Sequence, residues 1–287
     1  METHTFKLSC GVATFMDFFP AENGPPSPSA SPVLMISGAM GVPRGYYVPL
    51  ARNLAAQGLN VATTEWRGHG DSPLRPSWRV TFGHDDMLAQ EFPAWVEETR
   101  RRFPGSPLYL MGHSMGGHIS SMYLSQNPQG AAGLILAATP LHHYRQLPFP
   151  KNLVYLGVGL CIRGVSLVAG YYPGHILGWA GREARGTMAD WYTIMRTGRF
   201  RIANSPHNFE ADFGKITLPL LSIGFSDDSM GPEAMLRAME NKLSSAVATR
   251  WRFTPADLNA PELGHFRWAR NSDVLASKIA AWVNGQR

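Results

Sequence analysis

A serine stands between two glycines in a pattern that is typical of an enzymatic nucleophile. Residues 112–116 have the sequence GHSMG, with Ser114 at the centre. An apolar strand is predicted before this segment and a helix after it, so the serine would lie at a sharp strand-to-helix turn. Glycines two positions away on either side let the chain turn without Cβ clashes, and the first amides of the helix point at the site. The pattern predicts a nucleophilic serine, and the alternative is a glycine-rich turn with an incidental serine.

A serine hydroxyl needs a base, and the base needs an orienting acid. Of the ten histidines, only His265 falls between the last predicted strand and the last predicted helix, which suits the chain order serine, acid, histidine. Two acids, Asp227 and Asp228, follow the strand predicted at 218–223. The distance from that strand favours Asp227, whereas the distance to Pro232 favours Asp228. We slightly favour Asp228, and the choice stays open at this point.

Two backbone amides are expected to bind the negative charge that develops during acyl transfer. One is the N–H of Met115, the residue after the serine. The other is the N–H of Ala39, in the loop 37–41 (SGAMG) that follows a strand predicted at 33–36. The alternative for this loop is a tight turn without a catalytic role.

Alternating strands and helices predict an α/β fold with a mostly parallel sheet that helices cover on both faces. The first residues, 6–20, are predicted to form a hairpin, and a Pro/Ser-rich loop is predicted at 22–32. The remaining strands are predicted at 33–36, 59–64, 108–111, 134–138, 218–223 and 249–253, and the helices at 45–57, 84–102, 115–126, 232–242 and 273–283.

The alternation of strands and helices stops between residues 140 and 214, where no strand is predicted. We therefore expect one α/β domain over residues 1–287, with a core at 1–139 and 215–287 and a helical lid at about 140–214. An apolar stretch at 153–172 contains Arg163, so a buried or lid helix is favoured over a membrane span. The lid carries eight cations and four acids, which favours a solvated face; the alternative is attraction of an anionic substrate or membrane surface.

The composition excludes several classes of protein. Charged residues are only 16% of the 287 residues and apolar residues 44%, which argues against a disordered or coiled-coil chain. A net charge of +5 without a nucleic-acid-binding motif does not indicate a nucleic-acid partner. Cys10 and Cys161 cannot build a disulfide framework or a zinc site, and neither a metal nor a cofactor is implied. The first residues lack a signal-peptide pattern, so a cytoplasmic location without a transmembrane segment is expected; a homodimer is left open.

Further motifs resemble the α/β-hydrolase fold superfamily. Residues 65–72 (EWRGHGDS) are similar to its D-x-R-G-x-G-x-S loop, with Glu65 in place of the aspartate. The loop at 37–41 begins with Ser-Gly where the family often has His-Gly, which removes a side chain that usually braces this loop. Residues 41–47 (GVPRGYY), 171–174 (YYPG), 226–228 (SDD) and 264–268 (GHFRW) resemble the serine-aminopeptidase-like and monoacylglycerol-lipase-like hydrolases within the serine-nucleophile branch.

The resemblance and the motifs together imply a serine hydrolase that cleaves a carboxylic ester, a thioester or a small amide with an apolar acyl part. Ser114 would attack the carbonyl, His265 would take its proton, and an acyl-enzyme would form. The partner is then a small-molecule acyl substrate. Two alternatives use the same pocket: an acyltransferase, which needs a second bound nucleophile, and a ligand-binding protein without catalysis.

Overall fold

A mostly parallel sheet lies at the centre of the computed structural model, which describes residues 1–22, 31–178 and 180–286. The strands are β1 (Glu2–Lys7), β2 (Ala13–Phe19), β3 (Val33–Ser37), β4 (Asn60–Thr64), β5 (Leu108–His113), β6 (Gly133–Ala137), β7 (Tyr171–Pro173), β8 (Arg182–Ala184), β9 (Pro219–Phe225) and β10 (Val247–Phe253). Among the described residues, eight strands form one sheet in the order β1-β2-β4-β3-β5-β6-β9-β10. Strand β2 is antiparallel to β1 and β4, and the other neighbours are parallel. The prediction of a mostly parallel sheet is confirmed.

Helices cover both faces of this sheet. They are α1 (Val48–Ala56), α2 (His84–Asp86), α3 (Phe92–Arg102), α4 (Met115–Gln126), α5 (Lys151–Ala169), α6 (Gly174–Leu177), α7 (Arg185–Thr197), α8 (Phe209–Asp212), α9 (Glu233–Lys242) and α10 (Asp273–Asn284). Successive side chains of β3 enter opposite cores: Met35 packs on the side of α3, α4 and α9, and Ile36 on the side of α1 and α10. Because β3 is buried on both faces, it is apolar throughout until Ser37.

The single helix predicted at 84–102 is interrupted. A π-helical turn at Met87–Glu91 separates α2 from α3, and Pro93 lies in the first turn of α3. Proline has no N–H to donate to the residue four positions back, and its ring excludes that carbonyl, which accounts for the change of register before it. His84 is the first residue of the short helix α2 that precedes this turn, and its side chain is buried.

The segment between β6 and β9 contains α5 to α8 and, contrary to the prediction of no strand, the two short strands β7 and β8. These pair with each other in antiparallel fashion, Tyr172 opposite Glu183. Three-residue strands are too short to show the alternation from which strands are predicted. The predicted Pro/Ser-rich loop lies mostly outside the described residues, since these resume only at residue 31.

Helix α5 is apolar but exposed. Its mean hydropathy reaches 1.6, yet only 17% of that apolar window is buried. Val154 and Val168 are examples of large apolar side chains that face solvent. Of the two alternatives expected for this stretch, a buried helix is wrong, because α5 lies on the surface. Among the described residues, α5 alone is long and apolar enough to cross a bilayer.

Candidate active site

Ser114 occupies a strained turn between β5 and α4. Its backbone angles are φ 53° and ψ −115°, a region that residues other than glycine rarely adopt. A Cβ on Gly112 would collide with Gly117, and a Cβ on Gly116 would collide with the carbonyl of Ser37. Only glycine at these two positions allows α4 to start this close to the sheet. The predicted strand–turn–helix setting of the serine is thus present in the structure.

The carbonyl of Ser114 caps the start of α4 by accepting hydrogen bonds from the amides of Gly117 (2.9 Å) and His118 (3.2 Å). Its amide donates to the carbonyl of Ala137 at the end of β6 (3.1 Å). The serine backbone is therefore held by the two strands and the helix that meet at this edge of the sheet, which fixes the direction of the side chain.

The structure brings His265 and Asp228 together although they are 37 positions apart in the chain. Nδ1 of His265 lies 2.8 Å from Oδ2 of Asp228, and both side chains are almost fully buried. The other oxygen of Asp228, Oδ1, accepts hydrogen bonds from the amides of Met230 (2.8 Å) and Gly231 (2.9 Å). The carboxylate is thereby fixed in orientation.

Asp227 has a different partner. Its side chain is exposed, and Oδ2 accepts a hydrogen bond from the amide of Leu263 (2.9 Å), two residues before His265. It therefore tethers the loop that carries the histidine without contacting the imidazole. Of the two acids that the sequence offered, the geometry favours Asp228 as the partner of His265.

A chain of hydrogen bonds joins the loop of Ala39 to the backbone of His265. The amide of Ala39 donates to the hydroxyl of Tyr47 (2.9 Å), and this hydroxyl lies 2.8 Å from Nδ1 of His113. Nε2 of His113 lies 2.8 Å from the carbonyl of His265, which can only accept, so Nε2 carries the proton and Tyr47 donates to Nδ1. Burial lowers the pKa of His113 and raises that of Tyr47, which keeps both groups neutral.

This arrangement changes the expectation for Ala39. Both Ala39 and Met115 line the cavity at Ser114, as an oxyanion site requires. The amide of Ala39, however, is engaged by Tyr47. It could bind an oxyanion only if the Tyr47 hydroxyl shared it or moved aside.

Glu65 links two of the loops that carry the sequence motifs. Its carboxylate accepts a hydrogen bond from the amide of Arg44 (3.1 Å) and forms an ion pair with the guanidinium of the same residue (3.1 Å). The longer acidic side chain at this position therefore serves to join loop 65–72 to loop 41–47.

Two adjoining cavities lie at the site. The first, of about 20 Å³, is lined by Ser114 and His265 together with His84, His118 and His142. The second, of about 390 Å³, is mainly apolar and is bounded by side chains of α5, α7 and α9 and by the loop before α9. The two share His142, Trp191 and Met230 as walls. Within the described residues, no cluster of His, Cys, Asp or Glu could hold a metal ion.

Several residues at the site were not found from the sequence. Tyr47 lies in the segment 41–47 that carries the family resemblance, but no role was predicted for it. His84, His118 and His142 belong to no motif of a catalytic serine, and each reaches the cavity through the tertiary fold. The aromatic residues of the 140–214 segment are a partial sequence signal of the cavity wall. Trp191 and Tyr172 line the larger cavity, while Phe200 packs in the core.

A profile of the family described as serine aminopeptidase, S33, matches residues 28–177. Human monoglyceride lipase is 29% identical over 111 residues, which is 39% of this chain and 36% of that protein. A monoglyceride lipase homologue of monkeypox virus is 31% identical over 104 residues, covering 36% of this chain and 37% of the viral protein. The alignments thus span just over a third of the length of these relatives.

Solved structures match over nearly the whole chain. A monoacylglycerol lipase from Paleococcus ferrophilus superposes with a TM-score of 0.62 at 15% identity, covering 96% of this chain and 99% of that one. The protein Est1E from Butyrivibrio proteoclasticus, with ferulic acid bound, gives a TM-score of 0.66 at 13% identity, covering 99% and 98%. These likenesses show the fold, and the family profile covers more than half of the chain. The chain therefore belongs to the serine aminopeptidase S33 family and has the α/β-hydrolase fold.

Proposed function

We propose that the chain is a serine hydrolase that cleaves carboxylic esters with an apolar acyl part. The observation that carries this proposal is that Ser114, on its strained turn, and His265, held by buried Asp228, line one small cavity. The matches to monoglyceride lipases support ester cleavage as the reaction.

In the proposed reaction, the hydroxyl oxygen of Ser114 attacks the ester carbonyl while Nε2 of His265 takes its proton. Asp228 holds the proton on Nδ1 and stabilises the imidazolium that forms. The carbonyl oxygen becomes an oxyanion at the start of α4, where the amide of Met115 can donate to it. The amide of Ala39 is the second donor once its hydrogen bond to the Tyr47 hydroxyl is broken or shared.

The intermediate collapses when the C–O bond to the alcohol breaks and His265 protonates the leaving oxygen. An ester then joins the acyl group to Ser114. Water attacks this ester, with His265 again accepting the proton, and the acid leaves as Ser114 regains its hydrogen. No group outside the chain and water is needed to balance the reaction.

We further propose that residues 140–214 act as a lid that covers the acyl chain. The larger cavity is bounded on one side by Tyr155, Val158 and Ile162 of α5 and on the other by Met230 and Met235 of the core. An apolar acyl chain suits this cavity of about 390 Å³ and would lose contact with water there.

The test is labelling with a fluorophosphonate, which reacts with an activated serine. We expect one adduct on the wild-type protein by intact mass, none on Ser114→Ala, and an unchanged adduct on Ser229→Ala, whose exposed serine lies beside the larger cavity. Hydrolysis of p-nitrophenyl esters should follow the same order. A folded wild-type protein that takes no adduct and cleaves no ester would contradict the proposal.

A further inference from the structure

Helix α5 has an apolar outer face that the described residues leave uncovered. Five large apolar side chains on this face are between 46% and 80% exposed: Leu153, Val154, Leu160, Leu167 and Val168. The opposite face packs on the protein, where Gly159 and Ser166 are buried. Together with Val158 and Val165, the five side chains expose on the order of 700 Å² of apolar surface, above the roughly 300–600 Å² of the largest patch on a typical monomer. An apolar surface of this size marks an interaction site.

Two glycines lie at the centre of the outer face. A Cβ on Gly157 or on Gly164 would contact nothing within 4 Å among the described residues, apart from the backbone of α5 itself. Glycine inside a helix lowers its stability relative to alanine, and these two gain no packing within the chain in return. Gly159 on the inner face differs, because a Cβ there would collide with Met195. The two outer glycines leave a shallow groove, which lets a second helix approach α5 closely.

The spacing of the outer residues is that of a helix–helix contact. Residues 153, 157, 160, 164 and 167 follow one another at intervals of four, three, four and three positions. This repeat keeps them on one side of an α-helix, and two helices that share it can pack along their length at a crossing angle of about 20°. The outer face of α5 therefore has the pattern of a helix that packs against another helix.

The outer face is also symmetric about its midpoint, which lies between residues 160 and 161. If a second copy of α5 lies antiparallel across it, Gly157 of one copy faces Gly164 of the other. Leu153 in the same way faces Val168, so a large apolar side chain meets a large apolar side chain on both sides of the groove. A surface whose two halves complement each other is what a twofold axis requires.

The charges of α5 suit the same arrangement. The helix has no Asp or Glu, and Lys151 and Arg163 are its cations. Arg163 turns away from the outer face, since its Nη1 atom is buried in the protein. Lys151 would lie at the C-terminal end of the other copy's helix, where the helix dipole is negative. The centre of the contact thus holds no charge that would have to leave water.

We propose that the chain forms a homodimer in which α5 of one copy packs antiparallel against α5 of the other. The apolar surface of on the order of 700 Å² on each copy is close to the roughly 800 Å² per partner that stable interfaces bury. A bilayer would also cover an apolar face, but it is fluid and needs no groove. The glycines at the centre of the face and the symmetry about its midpoint are accounted for by a second α5 and not by a bilayer.

The experiment measures the mass of the full chain by sedimentation velocity over a series of concentrations. We expect the wild-type protein to approach twice the chain mass of 31.6 kDa. Leu160→Glu brings the two new carboxylates together in an apolar contact and should raise the dissociation constant about a hundredfold or more. Gly157→Leu fills the groove and should weaken the dimer about tenfold or more without destabilising the monomer, because leucine is the better helix former.

Val247→Glu is the matched control, because Val247 is 71% exposed but lies on the edge strand β10 of the large sheet. Its dissociation constant should equal that of the wild type. Cys161 gives a second readout, since the antiparallel arrangement places the two Cys161 side chains beside the twofold axis. A short bismaleimide should link two wild-type chains and two Cys10→Ser chains, but not two Cys161→Ser chains, although both cysteines are exposed.

A wild-type protein that stays monomeric at every concentration would overturn the inference. The same holds if this monomer floats with vesicles of phosphatidylcholine and phosphatidylglycerol, since a bilayer would then be what covers α5. A dimer that both Leu160→Glu and Gly157→Leu leave intact would also overturn it, because another surface would then hold the copies together. Neither measurement uses a substrate, so the result does not depend on the proposed ester hydrolysis.

Discussion

Replacing Asp228 by asparagine should disable the proposed mechanism while keeping the shape of the site. Oδ1 of Asp228 accepts two backbone hydrogen bonds, from Met230 (2.8 Å) and Gly231 (2.9 Å). An asparagine must place its carbonyl oxygen at that point, so its NH₂ group faces Nδ1 of His265. The imidazole then has to accept at Nδ1 and carry its proton on Nε2, where it cannot take the proton of Ser114.

The size of the effect follows from the same contacts. Turning the amide over would set its NH₂ against two N–H donors and lose two hydrogen bonds, which costs about 2–4 kcal/mol, or a factor of roughly 30 to 1,000. Loss of the charged hydrogen bond to the imidazolium adds roughly another tenfold to a hundredfold. We expect kcat for a p-nitrophenyl ester to fall about a thousandfold to ten-thousandfold, with KM little changed.

Asp227→Asn is the matched control. Among the described residues, the side chain of Asp227 bonds only the amide of Leu263, and an asparagine oxygen can accept the same bond. We expect its kcat within about threefold of the wild type, since the hydrogen bond is kept. Both variants should melt close to the wild-type temperature. Activity of Asp228→Asn within tenfold of the wild type, or an equal loss in Asp227→Asn, would refute the reasoning.

Three other perturbations probe the surroundings of the site. Tyr47→Phe removes a buried hydroxyl with two partners and should lower the free energy of unfolding in urea by about 1–3 kcal/mol; an unchanged value would contradict the chain of hydrogen bonds drawn from it. Burial lowers the pKa values of His84 and His118 to about 4, so the unfolded chain binds more protons than the folded chain between pH 4 and 6.5. Each histidine should therefore lower the free energy of unfolding by about 1.6 kcal/mol between pH 6.5 and 5. His84→Phe should reduce that loss, which urea titrations at the two pH values measure. Ile162→Trp narrows the larger cavity and should lower kcat/KM for long-chain esters by about tenfold while leaving kcat/KM for a butyrate ester unchanged. Val154→Trp, on the exposed side of the same helix, should change neither value. Equal losses on both chain lengths would contradict acyl binding in this cavity.

The features that depend on a few neighbouring residues could be predicted from the sequence. The turn at Ser114 is one, since its constraint lies in the glycines two positions away. The order of strands and helices is another, because strands that are buried on both faces, such as β3 and β6, are nearly continuous apolar runs. The helix predicted at 84–102 shows the limit: its ends are right, but the π-helical turn before Pro93 depends on how one residue alters the hydrogen-bond register.

The features that depend on contacts across the fold could not be predicted. The choice between Asp227 and Asp228 depends on how the chain turns after β9, where the amide of Asp228 bonds the carbonyl of Phe225 (3.1 Å). The exposure of α5 could not be predicted either, because an apolar helix can lie in a core or on a surface and its own sequence does not distinguish the two. His84 gives no signal in the sequence, since only the tertiary structure shows that its ring nitrogens have no hydrogen-bond partner among the described residues.

The departure at Ser37 shows why a motif cannot be judged one position at a time. Ser37 is too short to brace the following loop as a larger side chain would; its hydroxyl instead lies 3.2 Å from that of Ser120 in α4. The loop is held from the other side by Tyr47, through the amide of Ala39. Because Tyr47 also bonds His113, and His113 bonds the carbonyl of His265, the same brace reaches the proposed base. The chain thus lacks the usual bracing side chain at Ser37 but has another at Tyr47, ten positions further on. Tyr47 connects the loop of Ala39 to the segment that carries His265.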